Sequence, residues 1–286
     1  MGGRIATLAL LTAAAGFSQA GCSSDARSYT VADAGSAPAD AAVVILAQEG
    51  GAPSGGGEVF GHSDTTLYRL NPESKAVSVV GDFDGCNEKI LDIALDEKSN
   101  MYGAGDTSLY LIDRTTAKCS LLKAGQKYPN SLSFVPAGTV DPSRETLVGF
   151  VDSIYYKIDT STGAKVSIGS LGTVFESSGD IVSVKGGGTY VTVKNNGNGC
   201  NDCLVEIDPK TGAIKQNFGS LGYTDVFGLT FWGGSAYGFT DGGQLFEVRF
   251  QGSKVTTAPI AIPAAPAGLS FWGAGSTTSA PLTPIR

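Results

Sequence analysis

The chain has 286 residues, of which 40 are glycine and only 16% are charged, and its formal net charge is −7. Lys, Glu and Leu runs at helical spacing are missing, and the composition is typical of many short strands joined by glycine-rich turns. The acidic balance and the lack of a basic stripe argue against a nucleic-acid partner, because phosphate binding needs clustered Lys and Arg.

The first 21 residues have the features of an export signal. Arg4 is the lone charge before the apolar run 5–15, which has the length of a signal-peptide core and is too short to span a bilayer. The following segment, Gln19-Ala-Gly-Cys22, resembles a bacterial lipobox, although Leu is usual where Gln19 stands. The resemblance implies lipidation of Cys22 and an exported protein anchored to the cell envelope, at the outer membrane or the periplasmic face. The alternative is an ordinary secreted protein.

Residues 22–57 have the composition of a flexible tether. Ser, Ala, Asp, Gly and Pro dominate, and the segment ends in the glycine-rich run 50–57. Val43–Leu46 interrupts the tether as an apolar patch, which is either an extra strand or a piece of helix.

One short phrase then occurs five times, with alternating apolar and polar residues closed by an acid or a turn residue. The copies begin at Leu67, Leu109, Ile154, Leu204 and Leu245. Two of them continue as Asp-x-x-Thr-Gly from Asp159 and Asp208, where Asp opens a tight turn and Gly supplies a positive φ. Successive copies are 41 to 50 residues apart, the period of a four-stranded propeller blade.

Each full period contains four apolar segments, and the first segments of the four complete units begin at Leu91, Leu132, Ile181 and Gly228. A fifth unit is divided between the two ends of the chain. Gly268–Gly273 copies Gly228–Gly233 as an inner strand, and Glu58–Gly61 is an orphan second strand. We therefore predict an all-β fold, a five-bladed propeller of four-stranded antiparallel blades closed by pairing of its N- and C-terminal strands.

The repeated strand resembles the Leu-Tyr-x-Ile-Asp-x-x-Thr-Gly strand of periplasmic and secreted propellers, including quinoprotein-like, NHL-like and YncE-like domains. The resemblance covers residues 58–273 and implies the architecture alone, because enzymes, receptors and scaffolds all use it. We expect a tail at 274–286. Six blades are the alternative, if Val43–Leu46 belongs to a degenerate blade.

Four cysteines remain after Cys22, and an exported location permits disulfides. Cys200 and Cys203 form a C-x-x-C in an Asn/Gly-rich loop, which we interpret as a local disulfide, with a zinc or redox site as alternatives. Cys86 precedes an inner strand and Cys119 starts the outer strand of the same blade, so they are the second candidate pair. Sequence alone leaves all three pairings of these four cysteines open.

No catalytic constellation emerges. His62 is the only histidine, and its position after Phe60-Gly61 at a strand end favours a solvated turn residue. Asp82, Asp84 and Glu88 faintly resemble a calcium loop without the full EF-hand pattern. We expect no cofactor, with calcium as the alternative.

Ligands of propellers usually meet the loops at one mouth of the central channel. The candidate ligand residues stand before the inner strands: Asn87, Lys89, Tyr128, Asn130, Glu176, Tyr223 and Asp225. Their mixture of aromatic, amide and charged side chains suits a polar ligand or a peptide loop. The aromatic residues Phe231, Trp232, Phe271 and Trp272 are expected to pack between blades.

The sequence therefore favours a monomeric, envelope-anchored propeller that binds a protein or a polar ligand without catalysing a reaction. One alternative is a calcium-assisted lactonase or hydrolase with acids at the channel mouth. A second alternative is a lectin-like carbohydrate binder.

Overall fold

The computed structural model describes residues 59–195 and 199–284. The expected signal, Cys22, the tether and Val43–Leu46 lie outside these residues. Across the two described ranges the chain forms twenty β-strands. Among the residues described, no helix is long and apolar enough to cross a membrane.

Four blades are continuous in sequence. Blade 1 contains β4 (Asp92–Leu95), β5 (Met101–Ala104), β6 (Ser108–Ile112) and β7 (Cys119–Ala124). Blade 2 contains β8 (Leu132–Val135), β9 (Thr146–Val151), β10 (Ile154–Ile158) and β11 (Lys165–Ser170). Blade 3 contains β12 (Glu176–Ser183), β13 (Thr189–Asn195), β14 (Cys200–Ile207) and β15 (Ile214–Ser220). Blade 4 contains β16 (Val226–Trp232), β17 (Ser235–Thr240), β18 (Leu245–Gln251) and β19 (Lys254–Ile260).

Blade 5 is assembled from both ends of the described chain. It contains β20 (Gly273–Ser276) followed outward by β1 (Val59–His62), β2 (Thr66–Leu70) and β3 (Val77–Asp82). Every blade is a four-stranded antiparallel sheet, and the inner strands β4, β8, β12, β16 and β20 each contact the next around a closed ring. The predicted five-bladed, all-β propeller is confirmed.

Ring closure occurs where it was expected, between the N-terminal and C-terminal strands, but the predicted closing strand Gly268–Gly273 is wrong. Strand β20 begins at Gly273, so it extends beyond the expected propeller boundary at that residue. Gly273 lies opposite His62 in the same way that Gly228 lies opposite Phe239. The residue that corresponds to Gly228 is therefore Gly273 and not Gly268.

The reason for this shift is the narrow centre of the ring. The closing strand reads Gly-Ala-Gly-Ser, and even a Cβ on Gly275 would lie 2.9 Å from Leu95 Cδ1 and 3.0 Å from the Ile93 carbonyl oxygen. Phe271 packs outside the strand, between blades 4 and 5, edge-on to Phe239 with 5.1 Å between ring centroids. Burial of such a ring contributes about 1.5–3 kcal/mol to stability.

The Asp-x-x-Thr-Gly phrase closes the hairpin between the third and outer strands. The Asp159 carboxylate accepts the N–H groups of Ser161 at 2.8 Å and Thr162 at 3.1 Å, and Gly163 has a φ of 69°. Hydrogen bonds to the ionised form, those from Ser161 above all, lower the pKa of Asp159 to about 2. The turn chemistry read from the sequence is the one that the structure uses.

Candidate ligand site at the channel mouth

The loops that lead into the five inner strands meet around a depression of about 200 Å³ at one mouth of the central channel. Every blade contributes to its wall. The lining residues are Leu91, Asn130, Ser178, Gly179, Phe227 and Trp272. Apolar and aromatic walls with a few polar groups are typical of binding pockets, although this volume holds only one side chain or a group of similar size.

Trp272 is the largest side chain of the mouth and is held from two sides. Its backbone N–H donates to the His62 carbonyl oxygen at 2.7 Å, which fixes the residue immediately before the closing strand. The Lys89 ammonium lies 5.0 Å from the centroid of the Trp272 ring and 2.7 Å from the Asp64 carboxylate. Trp272 is only partly buried and lines the mouth, so the expectation that it packs between blades is wrong for this residue.

Two carboxyl groups lie directly beneath the mouth, at the start of β4 and within β12. Asp92 and Asp180 are both 0% exposed. Asp92 follows the mouth residue Leu91, and Asp180 follows the mouth residue Gly179. The two carboxyl groups lie close enough for each to influence the pKa of the other. We call this pair the hub.

The hub accepts backbone N–H groups from the surrounding inner strands. Asp92 accepts from Ile93 at 2.8 Å and from Leu132 at 2.5 Å. Asp180 accepts from its own neighbour Ile181 at 2.6 Å and from Leu229 at 2.6 Å. Burial raises the pKa of both carboxyl groups well above the usual range, and the like charge of Asp180 raises that of Asp92 further.

His62 stands beside the hub, and the prediction that it is a solvated turn residue is wrong. It is 0% exposed, with Nδ1 2.7 Å from the Ser63 carbonyl oxygen and Nε2 3.9 Å from Asp92 Oδ1. Because a carbonyl oxygen only accepts, we assign the ring proton to Nδ1. Burial lowers the pKa of His62 to about 4, so the ring is neutral at pH 7 and its approach to Asp92 is not an ion pair.

The opposite end of the channel is covered by the segment that follows β20. Thr278 is buried, its carbonyl oxygen accepts the Lys185 N–H at 2.8 Å, and its hydroxyl donates to Glu145. Further along, the Pro281 carbonyl oxygen accepts the Gly233 N–H at 2.8 Å. These contacts tie the segment to blades 2, 3 and 4.

Of the predicted ligand residues, Asn130 lines the mouth and Lys89 lies beside it on Trp272. Tyr128 is buried, and its hydroxyl donates to the Gly163 carbonyl oxygen at 2.8 Å. Tyr223 stacks on Phe246 with 3.9 Å between ring centroids.

The remaining three lie elsewhere on the loops. The backbone N–H of Asn87 donates to the Tyr110 hydroxyl at 3.2 Å. Glu176 lies 4.0 Å from Lys194 at the start of β12, and Asp225 occupies a left-handed turn with a φ of 57°. The seven residues therefore do not converge on one point, and their role in binding stays a prediction.

The calcium candidates are engaged separately. Asp82 accepts the Thr66 hydroxyl at 2.7 Å, and Glu88 accepts the Thr107 N–H at 3.1 Å. Asp84 pairs through its backbone with Lys118. Within the two described ranges, no group of three or more His, Cys, Asp or Glu residues is arranged to hold a metal ion.

Both predicted disulfides form. Cys86–Cys119 joins the loop before β4 to β7, and Cys200–Cys203 closes the start of β14. Disulfides of this kind are typical of proteins in oxidising compartments outside the cytoplasm.

The sequence prediction did not include Asp92 and Asp180. A usable signal was present, because the dipeptide Asp-Ile occurs at the same position of two inner strands, at Asp92-Ile93 and Asp180-Ile181. An acid at a fixed position of an otherwise buried strand needs hydrogen-bond partners.

No protein-family model matches the chain, and no curated protein matches it. Among solved structures, it is similar to Kuenenia stuttgartiensis hydrazine synthase, with 13% identity, a TM-score of 0.42 and coverage of 68% of this chain and 60% of the other. It is also similar to a protein of unknown function from Bacteroides caccae, with 12% identity, a TM-score of 0.41 and coverage of 76% and 77%. A third similar chain comes from a nidogen/laminin complex, with 11% identity, a TM-score of 0.48 and coverage of 80% and 100%. Similarity at these identities and TM-scores assigns no activity, ligand or family to the chain.

Proposed function

We propose that this chain is an exported, lipid-anchored propeller that binds a partner protein through the channel mouth. The proposal rests on the mouth itself, where residues from all five blades line a small, mostly apolar depression with Trp272 at its edge. A depression of about 200 Å³ accommodates one side chain of a partner, as the central anchor pockets of protein interfaces do.

The charge around the mouth indicates which partner fits. Four blades place an aspartate in the turn between their second and third strands, at the same end of the ring as the mouth: Asp64, Asp106, Asp152 and Asp241. Asp64 pairs with Lys89, whereas the other three form no ion pair with any residue in the described ranges. We therefore propose that the occupant is an apolar side chain carried on a basic loop.

The anchoring part of the proposal rests on the lipobox resemblance at Cys22 and on the two disulfides. Membrane fractionation of cells that express the wild-type chain or Cys22→Ala tests it. The wild-type protein should sediment with membranes and the variant should appear in the soluble exported fraction. Equal distribution of both proteins would contradict lipid anchoring.

Binding at the mouth can be followed through Trp272 itself. The chain has two tryptophans, so a Trp232→Phe background leaves Trp272 as the sole indole fluorophore. Titration with a short peptide of one Phe flanked by Lys should change the emission, and added salt should weaken the effect. The same peptide with Glu in place of Lys should bind more weakly.

Two matched variants distinguish binding at the mouth from nonspecific adsorption of the peptide to the protein surface. Trp272→Ala should abolish capture of the Lys-Phe-Lys peptide on an immobilised propeller, whereas Val166→Ala, an exposed apolar residue on β11, should leave capture unchanged. Equal capture by both variants would contradict binding at the mouth. Ester cleavage that depends on added calcium would favour the hydrolase alternative, and selective retention of glycans would favour the lectin-like alternative.

A further inference from the structure

The hub joins four blades by hydrogen bonds and contacts the fifth. Asp92 belongs to blade 1 and accepts the N–H of Leu132 in blade 2. Asp180 belongs to blade 3 and accepts the N–H of Leu229 in blade 4, and Asp92 Oδ1 lies against Gly273 of blade 5. Two carboxyl groups therefore supply acceptors to four of the five inner strands, and neither is exposed to solvent.

Two neighbouring carboxyl groups that are both fully buried cannot both be ionised without a large electrostatic cost. Two carboxylates only accept hydrogen bonds and repel each other, and burial removes the water that would screen them. One neutral and one ionised carboxyl group avoid this repulsion, and the neutral one can donate to the other. We propose that Asp92 and Asp180 share one proton at neutral pH, and that this proton holds the inner strands together.

The groups around the pair favour this arrangement. On the β1 side, His62 is neutral at pH 7 and offers no positive charge to a second carboxylate. The strands β8, β16 and β20 carry no titratable side chain, and on β12 the other acid is Glu176, at the rim. Asp64 lies beside His62 and adds negative charge. No cation within the described residues contacts either hub carboxylate.

A shared proton makes the free energy of unfolding fall as pH rises. The pair keeps its proton when folded, whereas a free aspartate in the unfolded chain has lost it above a pH of about 4. Unfolding then releases one proton, and the unfolding constant rises tenfold for each pH unit. His62 acts in the opposite direction between pH 4 and 6.5, because its folded pKa of about 4 lies below its unfolded value of 6.5. Above pH 6.5, the pH dependence of the unfolding constant therefore reports the hub without a contribution from His62.

The test is urea unfolding of the full-length, disulfide-intact protein between pH 6.5 and 8.5. The wild-type unfolding constant should rise about tenfold per pH unit, and Asp92→Asn, which replaces one carboxyl group of the pair by an amide, should remove that slope. Asp106→Asn, in an exposed turn, is the matched control and should keep the slope. A wild-type slope equal to that of Asp92→Asn would overturn the proposal.

A second measurement needs no variant and applies even if Asp92→Asn does not fold. Infrared spectra of the wild-type protein in D₂O at pH 7.5 should show a protonated carboxyl band that is present in the folded protein and absent after unfolding. Absence of that band from the folded protein would refute the shared proton.

Failure of this test is distinguishable from failure of the proposed function. The shared proton concerns closure of the ring, and it can be absent while Trp272 still binds a peptide. Conversely, loss of peptide capture by the wild-type protein leaves the pH slope unchanged.

Discussion

Replacing Gly273 with alanine should destabilise the propeller, although alanine is normally the better residue in a strand. Gly273 is the first residue of β20 and has no left-handed backbone, so its φ does not demand glycine. A Cβ placed there would overlap Asp92 Oδ1 and His62 Nε2 and would lie 3.2 Å from the Asp92 Cα. The added methyl group therefore pushes directly against the hub.

The expected magnitude follows from two opposing effects. Overpacking of a closely packed core costs about 1–3 kcal/mol. Removal of glycine stabilises by about 0.4–1 kcal/mol, because the unfolded chain loses conformational entropy. The net loss should be about 1–2 kcal/mol, and each kcal/mol lowers Tm by about 2–4 °C in a domain of this size.

The matched control is Gly81→Ala in β3. Gly81 is also a strand glycine without a positive φ, and the nearest atom to its added Cβ is the Thr116 carbonyl oxygen at 3.5 Å, an ordinary contact. Urea unfolding at pH 7 should show Gly81→Ala to be as stable as the wild type or slightly more stable. If Gly273→Ala matched that result, the close packing described for the hub would be refuted.

Three further predictions concern the disulfides and His62. Removing Cys86–Cys119, which spans 33 residues, should lower the unfolding free energy by about 3–4 kcal/mol on the chain-entropy model, as measured by denaturant unfolding of the double alanine variant. Removing Cys200–Cys203, which spans 3 residues, should cost about half as much, and a larger loss than for the first pair would contradict the model. For His62→Gln, the stability difference from wild type should change by about 1.4 kcal/mol per pH unit between pH 4 and 6.5, in favour of the wild type as pH rises, because only the unfolded wild-type imidazole binds a proton there. A pH-independent difference would show that His62 is not held neutral.

The strands and their order were predictable because the signals are local. Alternation of apolar and polar residues and the Asp-x-x-Thr-Gly turn each depend on a few consecutive residues, and the period of the repeated phrase fixed the blades. The closing strand was misplaced because Gly268–Gly273 copies Gly228–Gly233 in sequence. The choice of Gly273–Ser276 depends instead on the space left by Leu95 and Ile93, which lie far away in the chain.

The candidate site was less predictable, because it depends on which residues meet at the centre. The burial of His62 could have been predicted from the repeat. Val59-Phe-Gly-His62 matches Ala236-Tyr-Gly-Phe239, so His62 occupies the position of a buried Phe. The proximity of Asp92 and Asp180 could not have been predicted, because these residues lie on strands of blades 1 and 3 that do not pair with each other. Only the assembled ring brings the two carboxyl groups together.

Pairing between β1 and β20 also determines when the molecule can finish folding. β1 begins at Val59, and its inner partner β20 begins at Gly273, so nearly the whole propeller is synthesised between them. Until β20 emerges, β1 has one unpaired edge, and joining strands so distant in sequence carries a large loop-closure entropy. The last blade to be completed is therefore the one that the ribosome starts first, and any truncation upstream of Gly273 should yield an aggregation-prone chain with an open sheet edge.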